Sequence, residues 1–445
     1  MLIEKESTWN KKVWHFLKFN SFMQKLFIKG SKELNGKISI SGSKNASLPI
    51  LAASILANSV RLQNIPLVQD IFTMIELLKF IGLKAKIIKK KNYVDITNSD
   101  KNINTLAPYK LVKTMRAGVL VLGSLLARYG KAKVSLPGGC AIGTRPVDLH
   151  LLALKKLGAQ IKIKNGYIVA EAKKGLRGAT INFPSISVGA TENALLASFK
   201  ASGKTILKNC ATEPEIQDLI IFLKKLGSKI ILKGRTITIT QKKIKKTKIV
   251  HNVIFDRIEL GTYMIASALT AKKGVILDKI NPKIVRTEIE VLRKIGIKII
   301  KKKSSLIIKK NKNLKKINIS TKPYPGFPTD LQAQLMVLLT QVSGKSKIRE
   351  DIFENRFMHV PELRRMGAKI EINGKTAIIS GPTKLTGAEV MATDLRASVS
   401  LVLAGLVAEN RTIINRIYHL DRGYEFLEKK LKYCKAEIKR VWNEG

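Results

Sequence analysis

A unit of about seventy residues recurs along this chain. It reads as an apolar helix, then Leu-Gly or a close variant, then an alternating strand. The copies are "LLKFIGLKAKII", "LALKKLGAQIKI", "IFLKKLGSKIIL", "EVLRKIGIKIIK" and "PELRRMGAKIEI". Their glycines, Gly82, Gly158, Gly227, Gly296 and Gly367, are spaced 76, 69, 69 and 71 residues apart. A sixth copy, "KLKYCKAEIKRV", comes after a further 68 residues and places Lys435 at the glycine position. Glycine there suits the left-handed residue that ends a helix, because it has no Cβ to clash. Lys435 breaks the rule, so a frayed or altered last cap is expected.

A second series interleaves with the first. Polar or charged helix starts occur at Lys44 and Asn45, Arg116, Gly189, Asp256, Asp330 and Arg396. Asp256, Asp330 and Asp394 fit N-caps or first-turn acids. The helices that follow are apolar nearly all round, which predicts that they are buried. A unit repeated at this period is one supersecondary module. Six copies are too many for one core, so two α/β domains of three copies each are expected. If the buried helices run parallel, their six N-termini face one cleft. Lys44, Arg116 and Arg396 add cations to ends that are already partly positive. That arrangement opposes the helix dipole and points to a polyanionic ligand.

Charge by itself is less informative. The formal net charge is +49 over 445 residues, but the lysines are spread along strand tails and aromatics are only 6% of residues. No RNA-binding signature or zinc spacing is present, so the charge reads as solvated surface and no specific nucleic-acid partner is expected. Five scattered histidines have no metal-ligand spacing, and neither a metal nor a cofactor is called for. Cys140, Cys210 and Cys434 make no disulfide framework, which suits a cytoplasmic protein. No apolar run reaches the ~18 residues of a membrane span. Residues 1–22 mix charges and aromatics and are expected to be a disordered extension before Met23.

The stretch "SLPGGCAIGTRPVDLH", Ser135 to His150, sets Cys140 among glycines and five residues before Arg145. A packed cysteine belongs in an apolar element, and a cysteine on a glycine-rich loop beside a fixed cation reads as functional. Cys210 and Cys434 read as packed. His359 and His419 read as satisfied structural histidines.

These stretches, with "GSKNASLPIL", "SVGATENALLAS", "EPEIQDL", "PGFPTDLQAQ", "FENRFMHVPELRRMGA", "MATDLRASVSLVLAGLVAE" and "RIYHLDRGYE", resemble the UDP-N-acetylglucosamine enolpyruvyl transferases from about Met23 to Val441. The resemblance implies two inside-out α/β barrel domains, each of three βαβαββ repeats. One would comprise 23–43 plus 255–445 and carry Asp330, Arg396 and Arg422. The other, 44–254, would carry the Cys140 loop as a lid. The implied reaction moves the enolpyruvyl group of phosphoenolpyruvate to the 3-hydroxyl of UDP-N-acetylglucosamine by addition–elimination and releases phosphate. It is the first committed step of peptidoglycan synthesis.

The resemblance also distributes the residues. Lys44 and Arg145 would hold the phosphate of phosphoenolpyruvate, Arg396 and Arg422 its carboxylate, and Arg116 would support the pocket. Cys140 would protonate the methylene carbon, and could form an adduct with phosphoenolpyruvate or with the epoxide fosfomycin. Asp330 would be the base toward the sugar hydroxyl, and Asn45 would hydrogen-bond the sugar. Pro146, Val147, Asp148, Leu149, His150, Ser187, Val188, Gly189 and Ile352 would meet the nucleotide. Family members often carry a lysine where this chain has Ser185, which implies one diphosphate cation fewer. A monomer is expected. The sister enzymes that act on shikimate 3-phosphate share the cations but lack the Gly-Gly-Cys loop and the "NRFMHVPELRRMGA" stretch.

Overall fold

The computed structural model describes residues 24–30, 32–137, 147–241 and 248–442. Among them lie six four-stranded sheets of one design. The sheet holding Leu106–Ala107, Lys131–Ser135, Tyr167–Glu171 and Gln160–Lys164, in that spatial order, shows the pattern. Its first two strands pair in parallel, and the other two form an antiparallel hairpin that joins the second strand. A parallel pair needs a helical crossover, and the helix Val121–Tyr129 supplies it. A second helix, Asp148–Lys156, leads into the hairpin.

The second helix of each unit ends in the same way. Gly82 N–H donates to Lys79 O at 3.0 Å while Leu83 N–H donates to Leu78 O at 3.0 Å. The same pair of bonds recurs at Gly158, Gly227, Gly296 and Gly367. It recurs at the sixth copy too: Lys435 N–H reaches Lys432 O at 2.9 Å and Ala436 N–H reaches Leu431 O at 3.1 Å. Lys435 adopts φ 71°, in line with the glycines. The expected fraying is therefore wrong. The tertiary frame imposes the left-handed geometry on a lysine, at a cost of about 1–2 kcal/mol.

The first helix of each unit is buried, as its composition predicts. Every residue of Arg257–Thr270 is buried, and so is every residue of Gln332–Leu339. Two apolar clusters result. One gathers residues from Ala46 to Val253, and the other joins Leu26–Ile40 to Phe255–Ile438. The chain passes between them at two adjacent strands. Ser43 N–H donates to Ile254 O at 2.7 Å and Asp256 N–H donates to Ser41 O at 2.9 Å. Gly42 sits at this crossing, where a Cβ would lie 1.6 Å from Asn64 O, so no other residue fits.

Distant segments complete three sheets. Gln24–Lys29 pairs with Arg411–Asn415 and Glu437–Trp442, and Asn35–Ser39 pairs with Gly274–Asp278. Ile249–Asn252 returns to pair with Ser59–Gln63. Among the described residues no helix is long and apolar enough to cross a membrane.

Candidate active site

The expected site residues fall into three groups. The first forms where the two bodies meet. Lys44 opens the helix Lys44–Ala53, whose cap is the Ser43 hydroxyl. Its Nζ lies 3.0 Å from Asp70 Oδ2, and its backbone N–H donates to Asp256 Oδ2 at 3.1 Å. Arg422 arrives from the other body and donates from Nε to Asp70 Oδ1 at 3.0 Å. Burial would raise the Asp70 pKa, but the Lys44 and Arg422 charges outweigh it and hold the carboxyl below its ordinary range. Asn45 is the next residue of the Lys44 helix and is half-buried.

The second group surrounds Asp330. This residue sits in the short turn Thr329–Leu331 ahead of the helix Gln332–Leu339. Asp256 and Asp394 do cap their helices, each accepting two backbone N–H bonds. Asp330 is a first-turn acid that spends its oxygens elsewhere. Oδ1 accepts from Arg356 Nη2 at 2.6 Å and Oδ2 from Arg396 Nη2 at 2.9 Å. Arg396 is buried at the start of the helix Leu395–Val407 and also donates to Tyr424 Oη at 3.2 Å. Burial would lower its pKa, but Asp330 more than reverses this, so the guanidinium stays charged. Cations at these helix starts therefore do not face the dipole alone, because Asp70 and Asp330 offset them.

The third group gathers at the helix Val188–Ser198. Ser187 caps it by accepting from Ala190 N–H at 3.3 Å. His150, in the helix Asp148–Lys156, lies against its first turn, and a Cβ on Gly189 would come within 3.1 Å of the imidazole. Asn193 fixes that ring. Its Oδ1 accepts from Gly123 N–H at 2.7 Å, so its Nδ2 is the donor toward Val119 O at 3.2 Å and His150 Nδ1 at 3.1 Å. Nδ1 then accepts and the proton sits on Nε2, beside the helix start. Burial, followed by the Arg116 charge, lowers the His150 pKa to about 4, so the ring is neutral near pH 7. Arg116 opens the turn Arg116–Leu120. Val147 is buried, Leu149 is half-buried and Asp148 is exposed. Ser185, also exposed, lies two residues before the cap. Ile352 N–H donates to Glu350 Oε1 at 2.9 Å, and the other oxygen of Glu350 accepts from the Thr329 hydroxyl, next to Asp330 in the second group.

Cys140, Arg145 and Pro146 lie outside the described residues, as do residues 1–22. Cys210 and Cys434 are packed as expected, and burial raises their thiol pKa values to about 12 and about 11. His359 is buried and His419 half-buried, and neither ring is as fully satisfied as expected. Burial lowers both to about 4, and His359 Nε2 and His419 Nδ1 have no partner among the described residues. Sequence reasoning missed Asp70, Arg356 and Tyr424. Arg356 and Tyr424 lie inside stretches that carried the resemblance, whereas Asp70 looks like any first-turn acid.

Lys44 and Arg422, from two bodies, share Asp70, and Arg356 and Arg396 share Asp330, so the arrangement could hold an anionic ligand. A family model described as EPSP synthase (3-phosphoshikimate 1-carboxyvinyltransferase) matches residues 28–431. A protein of Pelagibacter ubique named UDP-N-acetylglucosamine 1-carboxyvinyltransferase is 57% identical over 94% of this chain and 100% of its own length. Proteins of the same name from Endomicrobium trichonymphae and Rickettsia prowazekii are 50% and 51% identical, over 95% and 94% of this chain and all of their own. The chain belongs to the UDP-N-acetylglucosamine 1-carboxyvinyltransferase family. The enolpyruvyl transferase NikO of Streptomyces tendae shares the fold, with a TM-score of 0.85 at 24% identity over 94% of this chain and 99% of its own. An EPSP synthase of Acinetobacter baumannii gives 0.72 at 18%, over 94% of this chain and 100% of its own.

Proposed function

We propose that this protein transfers the enolpyruvyl group of phosphoenolpyruvate to the 3-hydroxyl of UDP-N-acetylglucosamine, with release of phosphate. The observation that carries this reading is the meeting of Lys44 and Arg422, from different bodies, on one buried carboxylate. A substrate with a phosphate and a carboxylate on three carbons needs fixed cations from both sides. The full-length likeness to proteins of that name supports the acceptor. The product would be the first committed precursor of peptidoglycan.

In the addition step the sugar O3 bonds to C2 of phosphoenolpyruvate, its proton leaves, and a proton is added to C3. In the elimination step C3 loses a proton and the C2–O bond to phosphate breaks. The enolpyruvyl ether and phosphate are then the products. Cys140 is the proposed acid at C3 and Asp330 the proposed acceptor of the O3 proton. Lys44 and Arg145 hold the phosphate in this reading, while Arg396 and Arg422 hold the carboxylate, with Arg356 beside them. Asp330 is ionised beside two arginines, Arg356 and Arg396, and a carboxylate accepts rather than donates, as the proposed proton acceptor must. Backbone N–H groups at Val188 and Gly189, with His150 Nε2–H, form the proposed diphosphate end. Arg116 and Asn45 complete the sugar side.

The domain limits 23–43 plus 255–445 and 44–254 belong to the same proposal, with the cleft between them closing over substrate. One chain supplies both sides of the cation cluster, which is compatible with the proposed monomer. A cytoplasmic location suits phosphorylated substrates that do not cross membranes unaided. The test is phosphate release from phosphoenolpyruvate, with UDP-N-acetylglucosamine or shikimate 3-phosphate as acceptor. Release with the nucleotide sugar alone is expected. Release only with shikimate 3-phosphate, or with neither, would overturn the assignment.

A further inference from the structure

Asp70 is the least exposed member of the Lys44–Asp70–Arg422 group, at 5% of its side chain, against 12% for Lys44 and 34% for Arg422. The carboxylate is thus the floor of the group and the cations are its solvent side. It takes Lys44 Nζ and Arg422 Nε at 3.0 Å each, with Arg422 Nη2 at 3.5 Å. The Lys44 ammonium has three donors and the bond to Asp70 takes one of them. A second link reinforces the first. Glu425, three residues after Arg422, accepts from Leu67 N–H at 2.7 Å, three residues before Asp70. Glu425 also accepts from the Ser41 hydroxyl at the chain crossing. The segment Arg422–Glu425 is therefore clasped to the start of the helix Gln69–Ile81 at two points.

Two cations converging on one site repel each other unless an anion lies between them. Asp70 is the protein anion placed to do this without substrate. We propose that Asp70 is a positioning residue, which draws Arg422 across the cleft to Lys44 and fixes both for the anionic substrate. The inference rests on the assignment of Lys44 and Arg422 to phosphoenolpyruvate.

The experiment uses the full chain with Asp70→Asn and Asp70→Glu. It reads the kinetics with phosphoenolpyruvate, inorganic phosphate as a competing anion, and nucleotide-sugar binding. For Asp70→Asn, KM for phosphoenolpyruvate and the phosphate inhibition constant should each rise at least tenfold. Nucleotide-sugar affinity should change less than twofold. Asp70→Glu keeps the charge but moves it, and should fall between parent and Asn. It also carries the test if the Asn variant does not fold. Unchanged phosphate affinity in either variant would overturn the proposal. Tighter phosphate binding would overturn it as well, by showing that Asp70 competes with substrate. An equal loss of nucleotide-sugar binding would reduce Asp70 to a structural role. If phosphate fails to compete with phosphoenolpyruvate in the parent, the cation assignment itself is wrong, and this inference falls with it.

Discussion

Asp330→Asn separates two jobs that the geometry gives to one carboxylate. Its oxygens lie 2.6 Å from Arg356 and 2.9 Å from Arg396, and those side chains are only 4% and 8% exposed. Removing the charge leaves two nearly buried guanidiniums without their shared anion. Breaking a fully buried pair costs about 3–5 kcal/mol, because the remaining charge stays desolvated. Asp330 is 27% exposed, so solvent screens part of that and about 2–4 kcal/mol is the working figure. The amide makes matters worse on one side, since its NH₂ turns a donor toward an arginine that also donates. The role of base alone predicts lost activity with an intact fold. The ion pairs predict lost activity together with lost stability. Urea unfolding should therefore show the 2–4 kcal/mol deficit of this working figure. Phosphate release should drop by about 100-fold or more, the usual contribution of a positioned base. Turnover within about tenfold of the parent would remove Asp330 as the base. Stability within about 0.5 kcal/mol would refute the electrostatic account, because that is the range of an ordinary surface change.

Three further outcomes are expected. Lys435→Gly should stabilise the chain by about 0.5–1 kcal/mol, the left-handed strain less the extra freedom of unfolded glycine. Gly82→Ala should cost more than the strain alone, since its Cβ would sit 2.8 Å from Asn102 O, and urea midpoints for the pair check both signs. His150 and His359 have folded pKa values near 4, below their unfolded value, so they favour the fold fully above about pH 6.5. Up to about 3 kcal/mol from each is lost as pH falls from 6.5 to 4, and an unfolding free energy that stays flat over that window would contradict it. Cys140→Ser should cripple turnover near neutral pH and prevent covalent inactivation by fosfomycin, which mass spectrometry of the intact protein reads directly. A fosfomycin adduct on the serine variant would remove the thiol from its proposed role.

Much of this protein is legible in its sequence because much of it is local. Helical and strand periods are properties of a dozen neighbouring residues, and so is a glycine that ends a helix. The six-fold repeat, the buried helices and the acids at Asp256 and Asp394 follow from that. The long motifs brought Lys44, Asp330, Arg396 and Arg422 into view one at a time. Their partners could not be read in the same way. Arg422 and Asp70 are 352 positions apart, and their contact depends on how two bodies sit against each other. No local pattern encodes that placement. The same holds for Gln24–Lys29, an ordinary strand by pattern, whose place in the last sheet is set by an edge at the far end of the chain. Lys435 shows the two influences in opposition. Local preference argues against a left-handed lysine, but the backbone bonds of the sixth unit impose it, because losing a packed helix end costs more than the strain of one residue.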